Sequence, residues 1–116
     1  MAELEGYVRV MPEADIAEGQ LYGFEVDDEL RILTRVEGEI LALYGICSHE
    51  YAELVEGEVD EGILWCPLHS SGFDVHTGKA TNLPAVLPID VYDVRIEDGQ
   101  VYVSVMPKDA ADGELE

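Results

Sequence analysis

The sequence is short of positive charge: six Lys and Arg stand against 26 Asp and Glu, a formal net charge of −20. Phosphate recognition needs clusters of Lys and Arg, so nucleic acid is excluded as a partner, and repulsion from anionic lipid disfavours membrane docking. Also lacking is any apolar run near the ~20 residues that cross a bilayer, and Met1–Gln20 has neither a basic nor an apolar signal segment. A cytoplasmic location is the expectation. Cysteine is scarce, with two in 116 residues. In a reducing compartment a structural disulfide is disfavoured, so the two read as metal ligands or core thiols.

Helical periodicity and internal repeats are absent as well, which leaves an all-β chain long enough for a single domain. Strand-like segments are Tyr7–Val10, Gln20–Val26, Leu30–Val36 and Ile40–Tyr44, with a turn or single helical turn at Met11–Ile16 and a Glu37-Gly38-Glu39 break. Strand character returns at Ile89–Ile96 and Val101–Val105, around a turn containing Asp98-Gly99. Between these groups, Ser48–Gly62 is acidic and reads as loop more than strand, and Ser70–Leu87 is rich in Gly, Pro, Ser and Thr. The expectation is a single domain over residues 1–107. Its base spans about 5–45 and 86–106, and a smaller loop-rich lobe spans about 46–85. The tail Lys108–Glu116 is small, acidic and expected to be disordered.

The chemistry is concentrated in two places. Of two Cys and three His, four residues fall into the pairs Cys47-Ser48-His49 and Cys66-Pro67-Leu68-His69, sixteen residues apart. Each pair offers one thiolate and one imidazole, a set that suits either one tetrahedral zinc or a binuclear iron cluster. Finger-type zinc sites pair Cys with Cys and His with His along the chain, whereas here the types alternate. A short Cys-to-His step lets each loop send one ligand to each of two irons.

Cys-x-His, sixteen residues, then Cys-x-x-His resembles the Rieske motif. Gly72-Phe73-Asp74 with Thr77-Gly78 resembles the stretch after the second pair, and Leu83-Pro84-Ala85 resembles the proline-bearing loop that covers the cluster. The similarity to Rieske-type ferredoxins covers roughly residues 5–106 and implies a Rieske-type antiparallel β-sandwich base with a cluster-binding lobe. It further implies one [2Fe–2S] cluster, with Cys47 and Cys66 on one iron and His49 and His69 on the other. Respiratory members carry an extra cysteine in each loop, joined as a disulfide; the corresponding residues here are Ala52 and Leu68. They also place a Ser and a Tyr hydroxyl near the sulfurs, where this chain has Ser71 and Phe73. The missing Tyr hydroxyl favours the lower part of the Rieske range of about −150 to +300 mV, and Ser71 works in the opposite direction. Ser71, Phe73 and Pro84 are therefore the expected surroundings of the cluster.

By resemblance, the chain is the ferredoxin component of a bacterial aromatic-ring-hydroxylating oxygenase. Such a component is a monomeric, non-catalytic carrier between an NAD(P)H-dependent flavin reductase and the Rieske centre of a terminal oxygenase. Glu50, Glu53, Glu56, Glu58, Asp60 and Glu61 lie between the ligand pairs and suit transient docking on basic patches of these partners. The alternatives are a small Rieske-like subunit of a larger oxidoreductase such as a nitrite reductase, and a zinc-stabilised interaction module. His76 reads as a surface residue, Trp65 as packing, and Asp74 and Thr77 as turn formers.

Overall fold

The computed structural model describes residues 6–48, 52–67, 71–82 and 87–108. Ten strands follow one another along the chain: β1 Tyr7–Pro12, β2 Leu21–Val26, β3 Glu29–Val36, β4 Glu39–Tyr44, β5 Glu58–Asp60, β6 Ile63–Trp65, β7 Gly72–Asp74, β8 Ala80–Asn82, β9 Val91–Glu97 and β10 Gln100–Pro107. They form a six-stranded sheet in the order β1-β10-β9-β4-β3-β2 and a four-stranded sheet in the order β5-β6-β7-β8. All named ladders are antiparallel. The helical turn expected near Pro12 is a 3₁₀ turn at Glu13–Asp15, and a second such turn lies at Leu54–Glu56.

The base is discontinuous in sequence, as expected, and its halves join where Ala42 pairs with Tyr92 and Leu43 with Val91. Because successive strand residues point to opposite faces, this junction feeds two cores. Leu33, Ala42, Tyr92, Val101 and Val103 pack on one face, with partly buried residues from β1 and β2 added to them, so the sheet curls around this core. Ile32, Leu43 and Val91 face the other way, onto Leu54, Leu64, Phe73, Val75 and both cysteines. The second core fastens the cluster lobe to the base, and its aliphatic and aromatic members each contribute about 1.5–3 kcal/mol by burial.

Four hairpins turn on residue pairs with positive φ at both positions: Asp27-Asp28, Glu37-Gly38, Glu61-Gly62 and Asp98-Gly99. This backbone suits two-residue primed turns, whose twist matches that of the flanking strands. Three of the four are acid-Gly pairs, and two of these, Glu37-Gly38 and Asp98-Gly99, were expected as turns from the sequence. Asp27-Asp28 lacks Gly and relies on the tolerance of Asp for the left-handed region.

Three expectations need correction. Ser48–Gly62, read as loop more than strand, contains β5 at Glu58–Asp60, which with β6, β7 and β8 gives the loop-rich lobe a four-stranded sheet. Ile89 lies before β9 rather than in it: its N–H donates to the Gly78 carbonyl at 2.9 Å, so it ties the chain to the lobe. Lys108 is not part of a loose tail, since its N–H donates to the Val91 carbonyl at 2.8 Å. Residues 109–116, also assigned to that tail, lie outside the described residues.

Arg31 is an unexpected structural residue. The β10–β9 register shifts between Val103 and Pro107, and the carbonyls of Ser104 and Val105 lie within that irregularity. Arg31, 3% exposed, donates to them at 2.9 and 2.7 Å. Its guanidinium also binds the Glu29 carboxylate and lies 3.8 Å from the centroid of the Tyr92 ring.

Candidate metal centre

The first cysteine follows β4. A Cβ on Gly45 would stand 2.9 Å from the Leu30 backbone, so only Gly allows the chain to leave the sheet this close to β3. From there the chain forms a narrow hairpin: Leu54 N–H donates to the Gly45 carbonyl at 2.8 Å, Ile46 bridges Glu53, and Cys47 N–H donates to the Ala52 carbonyl at 3.1 Å. Residues 48–51 separate Cys47 from Ala52 in sequence.

The second cysteine follows β6. Trp65 pairs with Gly72, and Cys66 N–H donates to the Ser71 carbonyl at 3.0 Å, with residues 67–70 between them in sequence. Both cysteines therefore make the same backbone contact, an N–H donated to the carbonyl five residues on. Each intervening segment contains one histidine. His49 and His69 lie outside the described residues, as do Leu68 and Pro84.

Cys47 and Cys66 are each 4% exposed, unbridged, and members of one continuous apolar cluster. Two buried thiols, each followed two or three residues later in sequence by a histidine, fit the thiolate and imidazole donors of a [2Fe–2S] centre. Ala52, at the position of one respiratory bracing cysteine, is buried in the same cluster. The backbone ladder, not a disulfide, holds this loop. Ser71 and Phe73 are both fully buried, and Phe73 packs in the cluster that contains both cysteines.

The remaining candidates behave as the residue types suggest. Asp74 Oδ1 accepts from the N–H groups of His76 and Thr77 at 2.8 and 3.2 Å, so Asp74 stabilises the turn. His76 is half exposed, with Nε2 3.4 Å from Glu39. Trp65 packs beside Gly72, where a Cβ would meet its ring at 3.0 Å.

Sequence reasoning missed Gly57, at which a Cβ would stand 1.9 Å from the Trp65 carbonyl oxygen. It brings the 3₁₀ turn at Leu54–Glu56 against β6 and so packs one hairpin on the other. Beside it lies an open cleft of about 290 Å³, lined by Glu56, Gly57, Glu58, Trp65, Cys66 and Pro67. The lobe over residues 46–85 contains seven acids and one base, Lys79. Of the bases elsewhere, Arg31 and Arg35 bind backbone carbonyls of the base sheet and its turns. The field around the lobe is therefore negative.

Residues 6–93 match the Rieske [2Fe–2S] domain family. The chain belongs to that family. The cofactor of this Rieske domain is one [2Fe–2S] cluster, which removes the zinc alternative. The domain is 35% identical over 99 residues to the ferredoxin component of the naphthalene 1,2-dioxygenase system of Pseudomonas putida, covering 85% of this chain and 95% of the relative. Among solved structures it is similar to the ferredoxin of carbazole 1,9a-dioxygenase from Nocardioides aromaticivorans IC177. There the identity is 34%, the TM-score is 0.82, and the match covers 86% of this chain and 98% of that one. It is also similar to a chain in the complex of reduced oxygenase and oxidized ferredoxin of carbazole 1,9a-dioxygenase. That match has 28% identity and a TM-score of 0.85, covering 90% and 98% of the two chains. Among the described residues of this Rieske domain, no helix is long and apolar enough to cross a membrane.

Proposed function

We propose that this Rieske domain is a monomeric, cytoplasmic one-electron carrier. It takes electrons from an NAD(P)H-dependent flavin reductase and delivers them to the Rieske centre of a terminal aromatic-ring-hydroxylating oxygenase. The observation that carries this proposal is its near end-to-end match to stand-alone ferredoxin components of dioxygenase systems, one of them in a solved complex with its oxygenase. The cluster accepts and releases a single electron. Cys47 and Cys66 would hold one iron, and His49 and His69 the other. Two neutral imidazoles in place of thiolates remove negative charge from the site and make reduction easier than in an all-cysteine cluster.

The surroundings favour the lower part of the Rieske range, because Phe73 fills its buried position without a hydroxyl to stabilise added negative charge. Docking uses the acidic lobe: Glu56 and Glu58 line the cleft beside Cys66, where a basic side chain of a partner meets both charge and the Trp65 ring. Weak, charge-steered contact suits a carrier that must leave one partner for the next.

Reconstitution tests the proposal. The protein is combined with candidate reductases and terminal oxygenases, and NAD(P)H-driven product formation is scored. Product dependent on this protein, with a transfer rate that falls between low and moderate salt, is the expected result. A salt-independent rate would remove acidic steering. A stable stoichiometric complex on gel filtration of the native material would instead indicate a fixed oxidoreductase subunit.

A further inference from the structure

The six-stranded sheet has two edges, and both border one groove. Among the described residues β1 pairs only with β10 and β2 only with β3, so on each outer edge the alternate N–H and C=O groups have no strand partner. Between the edges lies a groove of about 380 Å³, lined by residues 8–10 of β1 and by residues 24–27 at the end of β2. Consecutive strand residues point to opposite faces, so a groove lined by consecutive residues of two strands runs along edges rather than over a face. Its walls match the length of three or four extended residues, roughly 10–13 Å.

The two walls differ. β1 is irregular between Arg9 and Met11 and ends in Pro12, both features that blunt an edge. β2 pairs with β3 through six residues without a register shift and leaves a regular edge. Phe24 and Val26 turn to the packed face of β2, whereas Glu25 between them is exposed. The side chains of Glu25 and Asp27 make no hydrogen bond or ion pair among the described residues. Arg9 does not neutralise them, since its Nη1 donates to Gln100 Oε1 at 3.1 Å on the β10 side. Residues 1–5 and 109–116 of the chain contain acids and no Lys or Arg, and a second copy carries a net charge of −20, so each has the same sign as the groove. The complementary occupant is basic and foreign.

We propose that the outer edge of β2 is a strand-addition site for an extended segment of a protein partner in which Lys or Arg alternates with apolar residues. The backbone of the segment pairs with β2, its apolar side chains lie on the Phe24 and Val26 face against Val8 and Val10, and its cations meet Glu25 and Asp27. Val10 and Phe24 belong to the core on the opposite face of the sheet from both cysteines, so this site is separate from the metal centre and does not depend on its assignment.

The probe is a short blocked peptide of alternating Lys and Val, compared with the same peptide N-methylated at every residue and with one of alternating Glu and Val. Binding to the full-length, cluster-loaded protein is measured by calorimetry and located by amide hydrogen exchange. The Lys-Val peptide should slow exchange in fragments covering 22–27. The N-methylated peptide should bind at least about tenfold more weakly, because its backbone cannot donate. Glu25→Gln combined with Asp27→Asn should weaken the Lys-Val peptide about three- to tenfold, and Asn tolerates the positive φ of position 27. Equal binding of the N-methylated peptide, or protection confined to the acidic lobe, would overturn strand addition. Equal binding of the Glu-Val peptide would overturn the basic occupant. Concentration-dependent dimerisation that protects 22–27 without peptide would give the edge to a second copy and likewise overturn the proposal.

Discussion

Replacing Arg31 with Met should cost about 3–5 kcal/mol, the worth of two charge-assisted hydrogen bonds to backbone carbonyls less what burial of Met restores. The structure indicates where the loss arises. Arg31 donates to the Ser104 and Val105 carbonyls where the β10–β9 ladder breaks, and charged donors of this kind are worth about 1.5–3 kcal/mol each. Stacking on Tyr92 at 3.8 Å adds about 0.5–2 kcal/mol. The Glu29 contact counts for little, because that carboxylate is 39% exposed and is rehydrated when its partner is removed. Burial of the Met side chain offsets part of the total. In a domain whose whole stability is of order 5–15 kcal/mol, the melting temperature should fall by roughly 15–25 °C. Thermal melts followed by far-ultraviolet circular dichroism, on samples matched for cluster content, measure the change. Arg31→Lys should lie between the two, since one ammonium lacks the planar fork that reaches both carbonyls and Glu29. A loss below about 1 kcal/mol for Arg31→Met would refute the capping role and assign the break in β10 its own stability.

Phe73→Tyr should raise the reduction potential within the Rieske range of about −150 to +300 mV by supplying the absent hydroxyl; an unchanged or lower value in a voltammetric titration would refute this. Because Phe73 is fully buried, the added oxygen should also cost about 1–3 kcal/mol of stability. Thr34→Val should stabilise the fold by about 1 kcal/mol in urea unfolding, since the fully buried Thr34 hydroxyl has no hydrogen-bond partner among the described residues and Val keeps its shape; a destabilised variant would contradict this. Burial, with a smaller opposing effect from Arg31, raises the Tyr92 phenol above its ordinary value of 10.0. The native chain therefore keeps a proton that the unfolded chain loses once pH exceeds about 10, so stability is intact below that pH and falls as pH climbs towards the folded value. Denaturant midpoints across the alkaline range should decline in wild type, and Tyr92→Phe should flatten the decline.

The long strands were legible because each carries enough alternating or continuous apolar residues to show its period, as in Leu30–Val36. The lobe strands were not, because each has three residues. Glu58-Val59-Asp60 offers one inward side chain between two acids, and no period is visible in so short a window. Its sheet is specified by tertiary packing, by Leu64 and Phe73 in the shared core and by the close approach at Gly57. Arg31 resembled any surface base until the break in β10 supplied two carbonyls for it, a relation between residues 73 and 74 positions apart.

The cluster site shows the same division within a few residues. The candidate ligand types and their spacing were plain in Cys47-Ser48-His49 and Cys66-Pro67-Leu68-His69, yet the two motifs differ in length, so nothing in them announced that the two cysteines share one backbone contact. The backbone makes them equivalent: each cysteine donates its N–H to a carbonyl five residues on, at Ala52 and Ser71. Carbonyls are common to all residues, so this closure leaves no compositional mark, and side chains at the closing positions are free to differ. That freedom explains how Ala52 can stand where a respiratory relative has a bracing cysteine. The ladder at Cys47 already fixes the thiol, and a disulfide would add rigidity to a loop that the strand register has placed.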